Sequence, residues 1–338
     1  MPRAHDWQRQ ESMRVVIPGG TGQVGTLLAR TFHAAGHDVV VLSRHVAQAP
    51  WRVVEWDAQS PGSWMSELDG ADVVINLARR NVNCRYTVAN RQAILSSRIA
   101  STRAVGVAIA RAERPPRVWL QMSTATIYSH RFDAPNDELT GTIGGTERDA
   151  PASWRFSIEV AKAWEAATEA TPTPRTRKVL LRSAMVMSPD RDGIFDTLLG
   201  LVRVGLGGPV GSGRQYISWI HDVDFTRAVT WLLEHESIAG AVNLAAPGPL
   251  PNADFMRALR KAYGMPIGLP ATEWMVAIGA MVMRTEPELA LKSRRVVPGR
   301  LLGEGFTFAF PEWLPAARDL CERWRAKRGA PASTSRLV

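Results

Sequence analysis

Cysteine is nearly missing from this chain: Cys84 and Cys321 are the two it has in 338 residues. They stand too far apart to build a metal-ligand spacing or a disulfide framework, so no metal site is expected. Such sparse cysteine suits a reducing, cytoplasmic setting. Long hydrophobic runs are missing too. The longest apolar stretch, 274–283, is too short to span a bilayer, and the opening MPRAHDWQRQES has no apolar signal core. No membrane partner is therefore expected. Charge of one sign never collects in a block, although Lys and Arg number 41 against 32 Asp and Glu, a formal charge of +9. The basic residues are scattered and are not interleaved with stacking aromatics, which argues against a nucleic-acid partner. Internal repeats and low-complexity segments are absent as well.

What is present is length enough for one large or two modest domains, and one organising stretch, VVIPGGTGQVG at 15–25. A β-branched run ends in a glycine-rich turn, and a helical pattern begins at once. Gly19 lets the chain turn sharply. Gly22 removes a Cβ so that backbone can approach a diphosphate, and Gly25 lets helix pack close to strand. The new helix points its free N–H groups at the phosphates. Gly19, Gly20, Thr21, Gly22, Gln23, Val24 and Gly25 are thus the candidate diphosphate-binding residues.

Strands are expected at 13–18, 38–43, 51–56, 72–77, 117–122 and 179–187. Helices are expected at 23–34, 88–112 and from 152 or 153 to 170. This alternation indicates an α/β fold, a Rossmann-like doubly wound parallel sheet. Ser43-Arg44 follows the second strand, where the adenosine ribose lies in such folds. An acidic residue there would favour NAD; a basic one suits a 2′-phosphate, so NADP(H) is expected ahead of NAD(H). Asp57, after the third strand, either accepts from the adenine amino group or holds a turn. Asn76, Leu77 and Ala78 end the fourth strand and should border the cofactor crevice.

In the C-terminal half, GLGGPVGSGRQ (205–215) puts five glycines into nine residues. Its backbone must face a ligand or a neighbouring segment. Arg214, suited to a phosphate, Gln215 and, in the strand expected at 216–220, Trp219 are the candidate substrate contacts. His221 is an acid/base candidate or a hydrogen-bonded junction residue, and Asp222 or Asp224 a helix cap. A strand at 241–245 returns to the core, and helices follow at 252–263, 274–283 and 313–325. The expected organisation is a flexible extension over 1–12, with Met13 a candidate true start, then a nucleotide-binding domain over 13–185 to which 216–247 returns. A smaller, mostly helical substrate lobe follows over 186–328, and a disordered tail over 329–338.

GGTGQVG, SR after strand two, NLA after strand four and STATIY after strand five resemble an extended short-chain dehydrogenase/reductase. SRIAST (97–102), AKAWEAA (161–167), GLGGPVGSGRQYISWIHDVD (205–224) and VVPGRLLGEGFTF (296–308) are similar to one atypical branch, an NAD(P)-binding epimerase family with a C-terminal domain of unknown function. The resemblance runs from Met13 to about Trp324. It implies an NAD(P)(H) site and a C-terminal substrate lobe, and supplies no known reaction. Members of the superfamily usually carry a Tyr-x-x-x-Lys pair whose lysine lowers the tyrosine pKa. Aligning Glu165 with the glutamate that follows that pair puts Ser157 at the tyrosine position and Ala161 at the lysine position. Lys162 lies one residue off, and Ile158, four before it, has no proton to give. Thr124 matches the superfamily's substrate-binding Ser/Thr, and Tyr128 the tyrosine of its VYG turn, a candidate replacement acid. Arg79 and Asn81 stand where a glycine is expected after Asn-Leu-Ala; Arg80 and Arg85 either reach an anionic substrate or are solvated. Two functions compete: an NADP(H)-dependent oxidoreductase or nucleotide-sugar epimerase, and a non-catalytic NADP(H)-binding sensor or regulatory protein. A monomer or homodimer serves either.

Overall fold

The computed structural model describes residues 12–148, 151, 154–272, 275 and 286–329. The extension expected before Ser12, the helix expected at 274–283 (Met275 apart) and the tail beyond Gly329 lie outside the described residues. The chain divides into two compact units. One comprises 1–79, 97–121 and 167–179; the other comprises 80–96, 122–166 and 180–338.

In the first unit, β1 (Arg14–Pro18), β2 (Asp38–Ser43), β3 (Arg52–Glu55) and β4 (Val73–Asn76) pair in parallel, as does β4 with β5 (Val118–Thr124). Val15, Val16 and Ile17, Val39 to Leu42, and Val73 to Ile75 are buried without alternation, as expected of central parallel strands covered on both faces. Helix α1 (Gln23–Ala34) buries Leu27, Leu28, Ala29 and Phe32. It stops at Gly36, whose φ of 85° is left-handed, while the amide of His37 donates back to the Phe32 carbonyl. Val16, Val40, Leu42, Val74, Val105, Ile109 and Trp119 fill the core, with Trp56 and Trp64 packed edge to face at 5.0 Å.

The sheet has seven strands in the order β10-β6-β5-β4-β1-β2-β3, with β6 at Arg177–Ser183 and β10 at Gly240–Leu244. From β3 to β6 this is the 3-2-1-4-5-6 order of a dinucleotide-binding fold. Helices α2 (Val88–Arg111) and α3 (Arg155–Glu169) precede β5 and β6. By length and composition α2 is able to cross a membrane, and half of its apolar window is buried inside the protein.

The second unit shows where the expected strands differ. The run 179–187 breaks after Ser183. The amide of Ala184 donates to the Leu244 carbonyl, and β7 (Met185–Met187) pairs with β9 (Trp219–His221) in a separate two-stranded sheet. The strand expected at 216–220 likewise divides into β8 (Tyr216–Ile217) and β9. Ser218, at the division, donates its hydroxyl to the Arg294 carbonyl and accepts from the Val296 amide. β8 pairs antiparallel with β11 (Leu250–Pro251). The core here joins α4 (Ile194–Arg203), α5 (Asn252–Tyr263) and the last helix, Trp313–Gly329, through Phe195, Leu199, Leu259, Leu320 and a Phe255–Trp313 stack at 4.1 Å.

Candidate nucleotide site and candidate active site

The glycine turn lies in the first unit. Gly19 has φ 75°, and a Cβ on it would stand 2.6 Å from the Ala78 Cα, so the turn and the end of β4 touch backbone to backbone. The Leu77 amide donates to the Pro18 carbonyl, and the Gly19 amide to that of Leu42. Asn76, fully buried, accepts from the Ala78 amide and donates to Gln121 Oε1, which pins the end of β4. A Cβ on Gly25 would stand 2.4 Å from the Gly20 Cα. One on Gly20 would meet the Ile17 carbonyl oxygen and Val41 at 2.9 Å, a packing demand that the spacing of the other three glycines does not reveal. Gly22 is the contrast, since a Cβ there would have nothing within 4 Å.

Gly22 is also the N-cap of α1. No side chain caps that end and no acidic residue occupies its first turn, so the positive end of the helix is left uncompensated. The Gln23 Nε2, at the same place, is buried and has no hydrogen-bond partner among the described residues. A buried donor without an acceptor is costly. An open glycine face, an uncapped helix start and an orphan donor together fit an anionic ligand.

At the end of β2, Thr21 and Ser43 approach through their hydroxyls at 3.3 Å. Arg44 is exposed and makes no hydrogen bond or ion pair among the described residues. Its guanidinium is available to a phosphate. Asp57 accepts from the amides of Gln59 and Ser60 at 2.9 and 2.8 Å, which hold its carboxyl below the usual range. Of the two readings left open for it, these bonds are those of a turn carboxylate.

The remaining candidates belong to the second unit. Thr124 ends β5, and its hydroxyl accepts from the Thr126 amide at 3.2 Å, opening a 3-10 turn over Ala125–Ile127. Ser123 donates to Glu165, which holds Arg182 by two bonds of 2.8 and 2.9 Å. Arg182 in turn donates to the Tyr128 hydroxyl, which donates to Asn243 Oδ1, both at 3.0 Å. Tyr128 is 2 % exposed, and burial pushes its pKa up. Its proton is therefore hard to release and is already committed to Asn243.

On α3, Ala161 and Ile158 are buried and Lys162 is exposed. Ser157 is half-buried and donates to Glu288 Oε2 at 2.6 Å. Glu288 was not anticipated from the sequence, and neither was Lys292, whose Nζ donates to the Thr126 carbonyl at 2.9 Å. Burial pushes Lys292 down to about 8 and raises Glu288. Arg294 donates from Nε to the Thr126 hydroxyl at 3.2 Å.

Among the three substrate-contact candidates, Arg214 is exposed and its guanidinium has no partner among the described residues. Gln215 is buried and donates to the carbonyls of Val210 and Ala290. Trp219 is wholly buried, packs on Trp313 at 4.9 Å and donates its indole N–H to the Gly248 carbonyl. The glycine-rich loop ahead of them meets a neighbouring segment: the amides of Gly208 and Gly211 donate to the carbonyls of Leu269 and Ala271. His221 is a junction residue, fully buried between Asp319 at 2.9 Å and the ring of Phe310, with its pKa lowered by burial. Asp222 holds Arg323 through both oxygens. Asp224 accepts the amides of Ala309 and Phe310. Among the described residues, no cluster of His, Cys, Asp and Glu is able to hold a metal ion.

A glycine turn between β1 and α1 in a sheet of this order defines the Rossmann-like class of dinucleotide-binding fold. Residues 15–245 match the NAD dependent epimerase/dehydratase family and residues 271–320 a domain of unknown function, DUF1731, and the chain belongs to this epimerase family. It is 34 % identical over 313 residues to the epimerase family protein SDR39U1 of Bos taurus, covering 91 % of this chain and 99 % of that one. The crystal structure of human SDR39U1 (isoform 2) with NADPH matches with a TM-score of 0.80 and 30 % identity, over 92 % of this chain and 99 % of that one. A nucleoside-diphosphate sugar epimerase from Corynebacterium glutamicum matches with a TM-score of 0.71 and 27 % identity, over 92 % of this chain and 59 % of that one.

Proposed function

We propose that this chain binds NADP(H) and works as an oxidoreductase or nucleotide-sugar epimerase on a small anionic substrate. The observation that carries the reading is the open backbone at Gly22, at the uncapped start of α1. Gly19, Gly20, Thr21, Gly22, Gln23, Val24 and Gly25 would receive the diphosphate, with Asn76, Leu77 and Ala78 holding the turn in shape. Ser43 and Arg44 would take the 2′-phosphate, and Asp57 would hold the turn beside the adenine. The NADPH in human SDR39U1 supports the phosphate preference, and the nucleoside-diphosphate sugar epimerase supports the substrate class. Two free cysteines, one buried and one half-buried, suit a cytoplasmic protein.

Bound NADP(H) supplies a hydride donor or acceptor. The chain's own residues bind, orient and move protons. Thr124 would hold the reacting oxygen of the substrate, and Arg214 its phosphate. Tyr128, clamped between Asn243 and Arg182, would keep the loop after β5 in place rather than exchange protons. Gln215 and Trp219 would support Arg214 from the core. A second reading has one observation in its favour: Ser157 and Ala161 stand at the positions of the usual tyrosine and lysine. It takes the chain as an NADP(H) sensor without turnover.

Cofactor fluorescence tests the phosphate preference. The parent should bind NADPH more tightly than NADH. Arg44→Ala should lose roughly 1.5–3 kcal/mol toward NADPH, the worth of a charge-assisted bond, and leave NADH unchanged. Equal affinity of the parent for both would contradict the assignment. Steady turnover of nucleotide sugars favours the enzyme; tight stoichiometric binding without turnover favours the sensor.

A further inference from the structure

Residues 286–296 belong to the segment that matches a domain of unknown function, and they reach both elements from which short-chain dehydrogenases draw their chemistry. Glu288 is 3 % exposed and Lys292 2 %. Glu288 Oε2 accepts from Ser157, the residue at the tyrosine position of α3. Glu288 Oε1 is buried and has no hydrogen bond among the described residues, and Lys292 Nζ stands 3.9 Å away, beyond hydrogen-bond reach. That nitrogen instead holds the Thr126 carbonyl in the turn opened by Thr124. An ion pair kept for stability alone would close this gap, because a buried carboxylate oxygen without a donor is costly.

We propose that Ser157 and Glu288 form the proton-exchanging pair of this chain, with Lys292 as a positioning residue that holds the Thr126 carbonyl of the Thr124 turn and keeps its charge 3.9 Å from Glu288. This rests on the NADP(H)-dependent reading above. In the oxidative direction, the substrate C–H bond breaks and its electron pair leaves as hydride to NADP+. The substrate hydroxyl proton passes to Ser157 Oγ as the Ser157 proton passes to Glu288 Oε2. A carbonyl forms and Glu288 ends neutral; reduction runs the same transfers backwards. Half-buried Ser157 is the member that meets substrate.

Burial raises the Glu288 pKa, while Arg294 and Lys292 draw it back and Glu286 adds to the rise. Lys292 in turn faces Arg294, Glu288 and Glu147. His130, which accepts from the Ser293 amide, and Tyr86, beside Arg294, are the other titratable groups packed here.

The test uses the full chain and the variants Glu288→Gln, Ser157→Ala, Ser157→Thr and Lys292→Met. NADPH fluorescence should give the same affinity in all within about twofold. Carboxyl NMR of glutamate-labelled protein should show one signal that titrates above the ordinary glutamate range, is missing in Glu288→Gln and moves in Lys292→Met. On a panel of nucleotide sugars, Glu288→Gln and Ser157→Ala should lose roughly 100-fold or more in kcat, and Ser157→Thr should recover part of it. The acidic limb of the pH–rate profile should vanish with Glu288. If Glu288→Gln fails to fold, Ser157→Ala carries the kcat reading and Lys292→Met the carboxyl-signal reading. A Glu288 that titrates no higher than an ordinary glutamate, or an unchanged kcat in either variant, overturns the proposal. A parent that binds NADPH but turns over none of the panel also overturns it and leaves the sensor reading. A parent that binds no NADPH overturns the cofactor reading itself.

Discussion

Two glycines three residues apart should fail in opposite ways when each is replaced by alanine. At Gly25 the added methyl would stand 2.4–2.6 Å from the Cα, carbonyl oxygen and carbonyl carbon of Gly20. All three are backbone atoms, so no flexible side chain can yield, and the helix must shift. Overpacking of this kind costs about 1–3 kcal/mol, offset by about 1 kcal/mol of alanine's helix preference. The 2.4 Å contact favours the upper end, for a net loss of about 2 kcal/mol and a Tm lower by roughly 3 °C. At Gly22 the methyl would meet nothing, and the φ of −72° suits any residue. Losing glycine at an N-cap costs at most about 1 kcal/mol. The same methyl would hold a diphosphate off the helix N–H groups. Losing one charge-assisted bond there is worth about 1.5–3 kcal/mol, a roughly 10- to 150-fold weaker Kd. Thermal melts and NADPH titrations of the parent, Gly22→Ala and Gly25→Ala separate the two costs. Gly22→Ala binding NADPH as tightly as the parent would refute the reasoning.

Other consequences are as direct. Glu165→Gln leaves Arg182 buried without its carboxylate and should cost about 3–5 kcal/mol, read as a lowered urea midpoint; an unchanged midpoint would contradict the role given to the pair. His221 is held neutral by burial, so below about pH 6.5 the unfolded chain binds a proton that the folded chain refuses, and stability falls as pH falls. His37 and His130 act in the same direction, whereas Glu138 and Glu288, both raised, act in the other. The clean readout is therefore the difference between parent and His221→Asn, which should lose less stability between pH 7.5 and 5.5. Cys321 is fully buried and pushed up to about 11, so a thiol reagent at pH 8 should label Cys84 in the native chain and Cys321 only on unfolding.

The nucleotide half of the fold was legible because its signals are local. β2 was read at its observed bounds from an unbroken apolar run between Gly36 and Arg44, and α1 from the glycine turn to Ala34. The run 179–187 hides its break because a continuous apolar stretch carries no mark of a change in partner. Ser218 breaks the next strand by a hydroxyl bond to residues 76 and 78 positions away. The Ser157–Glu288–Lys292 group was hidden for a related reason. Its chain segment, EPELALKSR, reads as a short polar stretch, and only the tertiary fold buries its charges. Matching Glu165 to the family motif did single out Ser157, the one sequence signal that led toward the group.

Titration of the purified chain with NADPH, followed by cofactor fluorescence, tests the central claim most directly. Saturable binding at one equivalent per chain, tighter than for NADH and weakened by Gly22→Ala, is the predicted result. No saturable binding of either coenzyme would contradict it.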